Sequence, residues 1–403
     1  MSKTIVIAGA GHAAGQVVAS LRQHDFDGRI VLVGDEPYLP YQRPPLSKKF
    51  LAGDMPAERL YFKPESFYED VELHLDTRIA AIERDARCVV SDTGESIAYD
   101  TLVLALGSRV RRLRGVGADL PGVHYLRSIA DVEGIRADLD KGKSLVVIGA
   151  GYIGLEVAAV AQQAGLDVTV LETEDRVMSR VVSPEVSDFY QIQHADRGVR
   201  LRLATSATSI DGKRRVRAVT TSAGESVPAD LVVIGVGIVP NTELAAAAGL
   251  DVDNGIVVDD HCVTSDPDIY AVGDCTLHPN CIYERNLRLE SVHNALEQAK
   301  TAAANICGRD TAYCQVPWFW SDQYDLKLQI AGLSEGYDEV VIRGNPAECS
   351  FSCVYLRHGR VVAIDAINAP RDFVQAKQLI EKRVEVTAEQ LAESGVQLKE
   401  LVG

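Results

Sequence analysis

Residues 145–159 read LVVIGAGYIGLEVAA, and residues 4–18 read TIVIAGAGHAAGQVV. Each is a β-branched apolar run, then spaced glycines, then a helix-forming stretch, the pattern of a buried strand turning on glycine into a helix. In the first copy Gly9 permits the tight turn and Gly11 leaves room for a pyrophosphate against the backbone. The third position, where a small residue lets helix and strand pack closely, is Ala14 followed by Gly15. The second copy carries the full set, Gly149, Gly151 and Gly154. Phosphates bound in such a turn sit at the positive end of the helix.

A lone glycine motif is weak, so the flanks decide. RIVLVGDE (29–36) follows the first copy at the distance of a strand–helix–strand unit and ends in acid. Asp35, or failing that Glu36, is placed to bind ribose hydroxyls. DVTVLE (167–172) follows the second copy and ends at Glu172, whose carboxylate accepts from a 2′-hydroxyl and repels a 2′-phosphate, favouring NAD(H) over NADP(H). Arg176 is the nearby charge that argues the other way. Each copy also has a later partner strand, YDTLVLALGS (99–108) and ADLVVIGVGIVPN (229–241), with an aspartate just before the apolar run. A whole nucleotide-binding unit is therefore duplicated. A further strand, in TSDPDIYAVGDCT (264–276), ends at Asp274, which either meets the polyol of a dinucleotide or caps a following helix.

Bulk properties bound the function. With 403 residues, two or three domains are expected, and 46% apolar residues are ample for their cores. A net charge of −16 argues against a global attraction to nucleic acid or an anionic membrane. No stretch is long and apolar enough for a membrane span, and the N-terminus lacks a signal-peptide pattern, so a cytoplasmic location is expected. Cysteines stand at 88, 262, 275, 281, 307, 314, 349 and 353, with no CxxC pair. Zinc and iron–sulfur sites are not expected, nor any metal, and most of these thiols read as small buried hydrophobes in a reducing compartment.

Taken in order, GAGHAAG, PPLSK, LALGS, GAGYIGLE, VGDC, ESVHNALEQA and PWFWSDQY resemble the NADH-dependent ferredoxin reductases of cytochrome P450 and aromatic-ring dioxygenase systems, over essentially the whole chain. The resemblance implies an α/β fold of the glutathione reductase-like kind. Its two Rossmann-like domains would bind FAD (1–108 and 241–319, discontinuous) and NAD (109–240), ahead of a C-terminal α+β interface domain (320–403). It implies FAD contacts at Ala13, Asp35, Lys48, Ile79, Arg127, Asp274 and Val292; Gly9, Gly11, His12, Ala14 and Arg43 complete that candidate set. The NAD set is Gly149, Gly151, Tyr152, Ile153, Gly154, Glu156, Glu172 and Gly237. In the family, residues matching Lys48 and Glu156 lie near the flavin N5 edge as an ion pair; read alone, they are a solvated charge and a helix-start acid. Trp320, in PWFWSDQY with Trp318, is the candidate aromatic over the flavin edge, with core packing as the alternative.

Two dinucleotides in one chain have a chemical reason. NADH yields two electrons together as hydride, whereas a [2Fe–2S] ferredoxin accepts one at a time, and a flavin converts between the two. The expected function is thus FAD-dependent NADH:ferredoxin oxidoreduction supplying a cytochrome P450 or ring-hydroxylating oxygenase. An acidic ferredoxin docking on an acidic protein needs a local basic patch, for which Arg285, Arg288, Lys300 and Lys327 are candidates. A disulfide reductase is set aside because no cysteine lies in YQRPPLSKKFL (41–51). An NADH:rubredoxin or other carrier reductase differs only in its acceptor. An NADH-responsive binding flavoprotein resembling the apoptosis-inducing factors calls for a basic surface instead.

Overall fold

The computed structural model describes residues 3–115, 117–139, 142–393 and 395–401 of a mixed α/β chain. The chain divides into two compact units. The first holds the chain up to Gln42, Glu58–Arg109 and Val239–Trp318; the second holds Arg43–Ala57, Val110–Ile238 and the chain from Phe319.

The first unit is built on a parallel sheet in the order Ile269–Ala271, Thr101–Leu104, Thr4–Ala8, Arg29–Val33, Val71–His74. Its central strand obeys the two-residue period of extended backbone. Ile5 and Ile7 join a cluster with Val17, Val18 and Leu21 of helix His12–Gln23 and with Ala299, Ala302 and Ala303 of helix Val292–Ile306. Val6 and Ala8 face the other way, onto Ile82, Val89 and Ile97 of a three-stranded antiparallel sheet. With both faces covered, residues 5–8 are all apolar, which explains the uninterrupted hydrophobic run after Thr4.

The second unit repeats the plan, with strands Arg200–Arg202, Asp167–Leu171, Ser144–Ile148, Leu231–Ile234 and Val123–Tyr125 in that order. Helix Tyr152–Gln163 follows its central strand, and a second three-stranded sheet covers Val146, Ile148, Val232 and Ile234. The duplication extends to single hydrogen bonds. Asp100 Oδ2 accepts from Thr4 N at 2.7 Å, and Asp230 Oδ2 accepts from Ser144 N at 3.0 Å. Each aspartate thus ties the start of its partner strand to the first residue of the central one.

The second unit also contains a C-terminal antiparallel sheet in the order Trp318–Gln323, Leu326–Gly332, Arg360–Ile367, Ser350–Arg357, Glu339–Asn345. Helix Pro370–Glu381 packs on it through Phe373, Ala376, Leu379 and Ile380. The central hairpin turns at His358 (φ 54°) and Gly359 (φ 76°), two left-handed residues whose twist matches that of the flanking strands. Inside this sheet Asp365 is fully buried and accepts from the Tyr355 hydroxyl at 2.5 Å; burial pushes its carboxyl up to about 7.

The structure removes one open alternative and qualifies one expectation. Asp274 does not cap a helix, because strand Thr276–Asn280 follows it. Nor are all the cysteines hydrophobic fillers: Cys281 and Cys314 form a disulfide with a Cα–Cα separation of 5.6 Å, within the usual span. Spacing could not reveal a pair separated by 33 residues. Among the described residues no helix is long and apolar enough to cross a membrane.

Candidate functional site

In the first cradle Gly9 adopts φ +113°, and a Cβ there would meet Ala105 O at 2.2 Å, so glycine is obligatory for packing. Gly11 differs: a Cβ there would meet nothing within 4 Å, so the turn opens onto free space. Helix His12–Gln23 starts at Gly11 with no side-chain cap and no acid in its first turn. Its N–H groups and dipole are left for an anion, as a pyrophosphate requires. Ala14 is fully buried, so the absent third glycine has a close substitute.

The carboxyl end of strand Ile269–Ala271 reaches this turn. A Cβ at Gly273 would lie 3.4 Å from Ala13 Cβ and 3.8 Å from Ala295 Cβ, which brings the Asp274 backbone beside Ala13 and the helix that begins at Val292. Ser108 Oγ donates to Asp274 Oδ2 at 2.8 Å. Gln298 fixes the same turn: its Oε1 accepts from Gly273 N at 2.8 Å and from Thr276 Oγ1 at 3.0 Å. Ser108 and Gln298 were missed in the sequence although both lie inside quoted motifs, because nothing in their spacing marks a hydrogen bond across 25 or 166 residues.

Asp35 is exposed just past strand Arg29–Val33, while Glu36 accepts from the Tyr41 hydroxyl at 2.6 Å. The two copies differ here. Residue 172 is the first after its strand, but the matching position in the first copy is Gly34, whose Cβ would clash with Ala10 at 2.4 Å. The acid is therefore displaced by one residue. Ile79 is half-buried against the cluster that holds Val31 and Val33, and His12 stacks edge-on to Phe62 at 6.3 Å.

The second cradle repeats the physical signature. Gly149 (φ +105°) would meet Gly235 O at 2.4 Å, Gly154 would meet Gly149 O at 2.1 Å, and Gly151 would meet nothing within 4 Å. Helix Tyr152–Gln163 likewise begins without a cap or an early acid. Ile153, 42% exposed at its second position, is a large apolar side chain left uncovered beside the open turn. Burial pushes the Tyr152 hydroxyl far up, with Asp365 adding to the effect. Glu172 Oε2 accepts from Ala150 N at 2.6 Å, so its carboxylate hangs over the cradle's backbone. Arg176 is engaged within its own loop and the next helix: it donates to Val182 O at 2.8 Å, Ser187 Oγ at 2.7 Å and Ser179 O at 2.6 Å. Gly237 (φ +99°) is exposed beyond strand Leu231–Ile234.

The third feature lies within the second unit. PPLS folds as a single 3₁₀ turn, Pro44–Ser47, that presents Ser47 and Lys48 to helix Tyr152–Gln163. Glu156 is only 3% exposed there, and a lone carboxylate so deeply buried would be costly. Its Oε2 accepts from Lys48 Nζ at 2.7 Å and Ser47 Oγ at 2.5 Å; its Oε1 accepts from Ser321 Oγ at 2.6 Å. Lys48 Nζ also reaches Pro44 O at 3.3 Å. Arg43, just before the turn, donates to Arg127 O at 2.6 Å. The chemistry here is a desolvated ion pair on the second cradle's helix, with every carboxylate oxygen engaged. Ser47 and Ser321 were not anticipated; the clue in the sequence was polar residues at buried positions of otherwise apolar motifs.

Trp320 lies half-buried in strand Trp318–Gln323, and Trp318 packs on His293 with ring centroids 5.5 Å apart. Of the basic candidates, Lys300 is paired with Glu297 at 2.6 Å and Arg288 with Glu290 at 2.5 Å. Arg285 and Lys327 are exposed.

Comparison with known proteins agrees with this geometry. The family described as pyridine nucleotide-disulphide oxidoreductase matches residues 3–299, and the one described as reductase C-terminal matches residues 318–402. The chain is 45% identical to rhodocoxin reductase of Rhodococcus erythropolis over 98% of its length and 93% of that protein. It is also 45% identical to putidaredoxin reductase of Pseudomonas putida, over 99% of this chain and 96% of that one. The reductase in the crystal structure of the covalent putidaredoxin reductase–putidaredoxin complex superposes with a TM-score of 0.96 at 45% identity, covering 99% of this chain and 98% of that chain.

Proposed function

The chain belongs to the pyridine nucleotide-disulphide oxidoreductase family, and from that premise we propose that it is an FAD-dependent NADH:ferredoxin oxidoreductase supplying a cytochrome P450 or ring-hydroxylating oxygenase. One observation carries the reading: two dinucleotide cradles in one chain, each with an uncapped helix start and an open glycine, and no cysteine in residues 41–51. A dehydrogenase needs one such cradle, and a disulfide reductase needs the thiols. Bound FAD supplies the conversion between a hydride and single electrons.

The chain's own residues then bind, orient and tune. Gly9, Gly11, His12, Ala13 and Ala14 hold the FAD pyrophosphate, Asp35 its ribose and Asp274 its polyol, with Ile79, Val292, Arg43 and Arg127 completing the contacts. Gly149, Gly151, Tyr152, Ile153, Gly154 and Gly237 hold NADH, and Glu172 reads its 2′-hydroxyl. Lys48 and Glu156 order the reacting end, and Trp320 shields the flavin edge. FAD binding is assigned to 1–108 and 241–319, NAD binding to 109–240 and partner contact to 320–403. The partner is a [2Fe–2S] ferredoxin, met by a local basic patch in a cytoplasmic protein. Lys300 and Arg288 are paired with Glu297 and Glu290, and the candidate docking charges remain Arg285, Arg288, Lys300 and Lys327.

The test is NADH-driven reduction of a panel of [2Fe–2S] ferredoxins and a rubredoxin at rising salt. The expected result is rapid bleaching of bound flavin by NADH, then ferredoxin reduction that slows as salt screens docking. Faster rubredoxin reduction overturns the choice of acceptor. Flavin that bleaches but passes electrons to neither carrier points to a binding flavoprotein.

A further inference from the structure

Glu156 is the end of a longer buried array. Ser321 and Gln323, both fully buried, project from one face of strand Trp318–Gln323, and His194, equally buried, comes from helix Pro184–Asp196. Gln323 Nε2 lies 3.2 Å from Ser321 Oγ, His194 Nε2 lies 2.8 Å from Gln323 Oε1, and the Tyr324 hydroxyl lies 3.3 Å from His194 Nδ1.

Donor chemistry gives the array a single direction. The Glu156 carboxylate, paired with Lys48, only accepts, so Ser321 commits its one proton to it. Ser321 must then accept, which turns the amide nitrogen of Gln323 toward it and the amide oxygen toward His194. Burial lowers the His194 ring to about 4, so it is neutral near pH 7 and donates through Nε2, leaving Nδ1 bare for the Tyr324 hydroxyl. That hydroxyl, raised to about 12 by burial, keeps its proton. Every dipole in the series points its positive end at Glu156, an arrangement that strengthens each bond in a low-dielectric interior.

We propose that Ser321, Gln323, His194 and Tyr324 form a directed hydrogen-bond chain that positions the Glu156 carboxylate, and through it Lys48, for the NADH half-reaction. These are positioning residues, and the inference rests on the reductase reading above. A solvent-exposed ion pair would sample many geometries. Here Ser321 pins the oxygen that Lys48 does not touch, which leaves Lys48 one place to sit.

The experiment uses full-length, FAD-loaded protein labelled with ¹⁵N-histidine, as wild type and as Ser321→Ala, Ser321→Thr and Gln323→Leu. Histidine spectra at pH 7 should show His194 as the neutral Nε2–H tautomer in wild type, and Gln323→Leu should erode that preference. Rapid mixing with NADH should show the limiting rate of flavin bleaching falling about tenfold in Ser321→Ala, the size of one hydrogen bond to a charged acceptor. Half-saturating NADH should change by less than about twofold, because the loss is in orientation and not in ground-state binding. Ser321→Thr should recover most of the rate, and Gln323→Leu should show a smaller loss than Ser321→Ala. An Nδ1–H tautomer in wild type overturns the proposal. So does a wild-type bleaching rate in both Ser321→Ala and Gln323→Leu, or a folded Ser321→Thr as slow as the alanine variant. If NADH fails to bleach the wild-type flavin, the reductase reading falls, and the histidine spectrum still decides whether the chain exists.

Discussion

Replacing Glu172 tests the cofactor assignment most sharply. The carboxylate stands at the end of strand Asp167–Leu171, with one oxygen 2.6 Å from Ala150 N and the other 3.0 Å from Glu174 N. A ribose 2′-hydroxyl arriving over the turn donates to a charged acceptor, worth about 1.5–3 kcal/mol. A 2′-phosphate in the same place meets a like charge. At a separation of about 5 Å and an effective dielectric near 20 that costs about 3 kcal/mol per charge, and less for a half-exposed group. Arg176 offers no relief, since its guanidinium is spent on Val182, Ser179 and Ser187. Glu172→Ala should therefore raise half-saturating NADH by about 10- to 100-fold, taking each 1.4 kcal/mol as a factor of ten. NADPH should gain relative to NADH by a similar factor. Glu172→Gln separates the two effects: it keeps an acceptor and removes the charge, so it should relieve the repulsion while losing less NADH affinity. The assay is the rate of flavin bleaching across a range of each nucleotide. An unchanged NADH:NADPH ratio in Glu172→Ala would refute the placement of the ribose.

Three further outcomes follow from the geometry. Gly151→Ala places its Cβ where no protein atom lies within 4 Å, so the melting temperature should hold while half-saturating NADH rises by at least about tenfold; Gly154→Ala drives a Cβ to 2.1 Å from Gly149 O and should lower the melting temperature itself. Equal melting temperatures for the two variants would contradict this split. Asp365 has a folded-state pKa raised to about 7, so its contribution to stability is whole below about pH 4 and is lost as pH rises toward 7, when the unfolded chain ionises freely and the folded one cannot. Asp365→Asn should therefore flatten the fall in melting temperature between about pH 4 and pH 7, and parallel curves would show that the buried acid is not shifted across that window. Reducing Cys281–Cys314, which closes a loop of 33 residues, should cost about 3–4 kcal/mol and lower the melting temperature; eight reactive thiols in the unreduced, denatured protein would rule the bond out.

The parts of this molecule legible in sequence are those set by local physics. Gly9, Gly149 and Gly154 announce themselves because a Cβ there would run into backbone, Gly11 and Gly151 because they stand at fixed spacing beside them, and the apolar runs at 5–8 and 145–148 because strands buried on both faces favour apolar residues throughout. The His358–Gly359 turn is readable for the same reason. What stayed hidden depends on long-range closure. Ser321 reaches Glu156 across 165 residues, Gln298 reaches Gly273 across 25, and Cys281 finds Cys314, none with a periodic signal. The acid at Asp35 was legible in the sequence, but the reason it stands one residue later than Glu172 was not, since that follows from the crowding of Gly34 against Ala10. Of the two readings left open for Asp274, the helix cap falls because the chain continues as strand Thr276–Asn280, a continuation that a Gly–Asp pair does not signal.

Along the backbone, membership alternates: the chain leaves one unit for the other at 42/43, 57/58, 109/110, 238/239 and 318/319. No single cut therefore releases an intact half. Trimming within residues 1–42 damages only the first unit and trimming within 319–403 only the second, but any deeper truncation breaks both. A recombinant that sought to graft the second unit onto a foreign scaffold would have to splice at several joints at once. The short stretch Arg43–Ala57, which carries Lys48, is the piece such a graft would most easily leave behind.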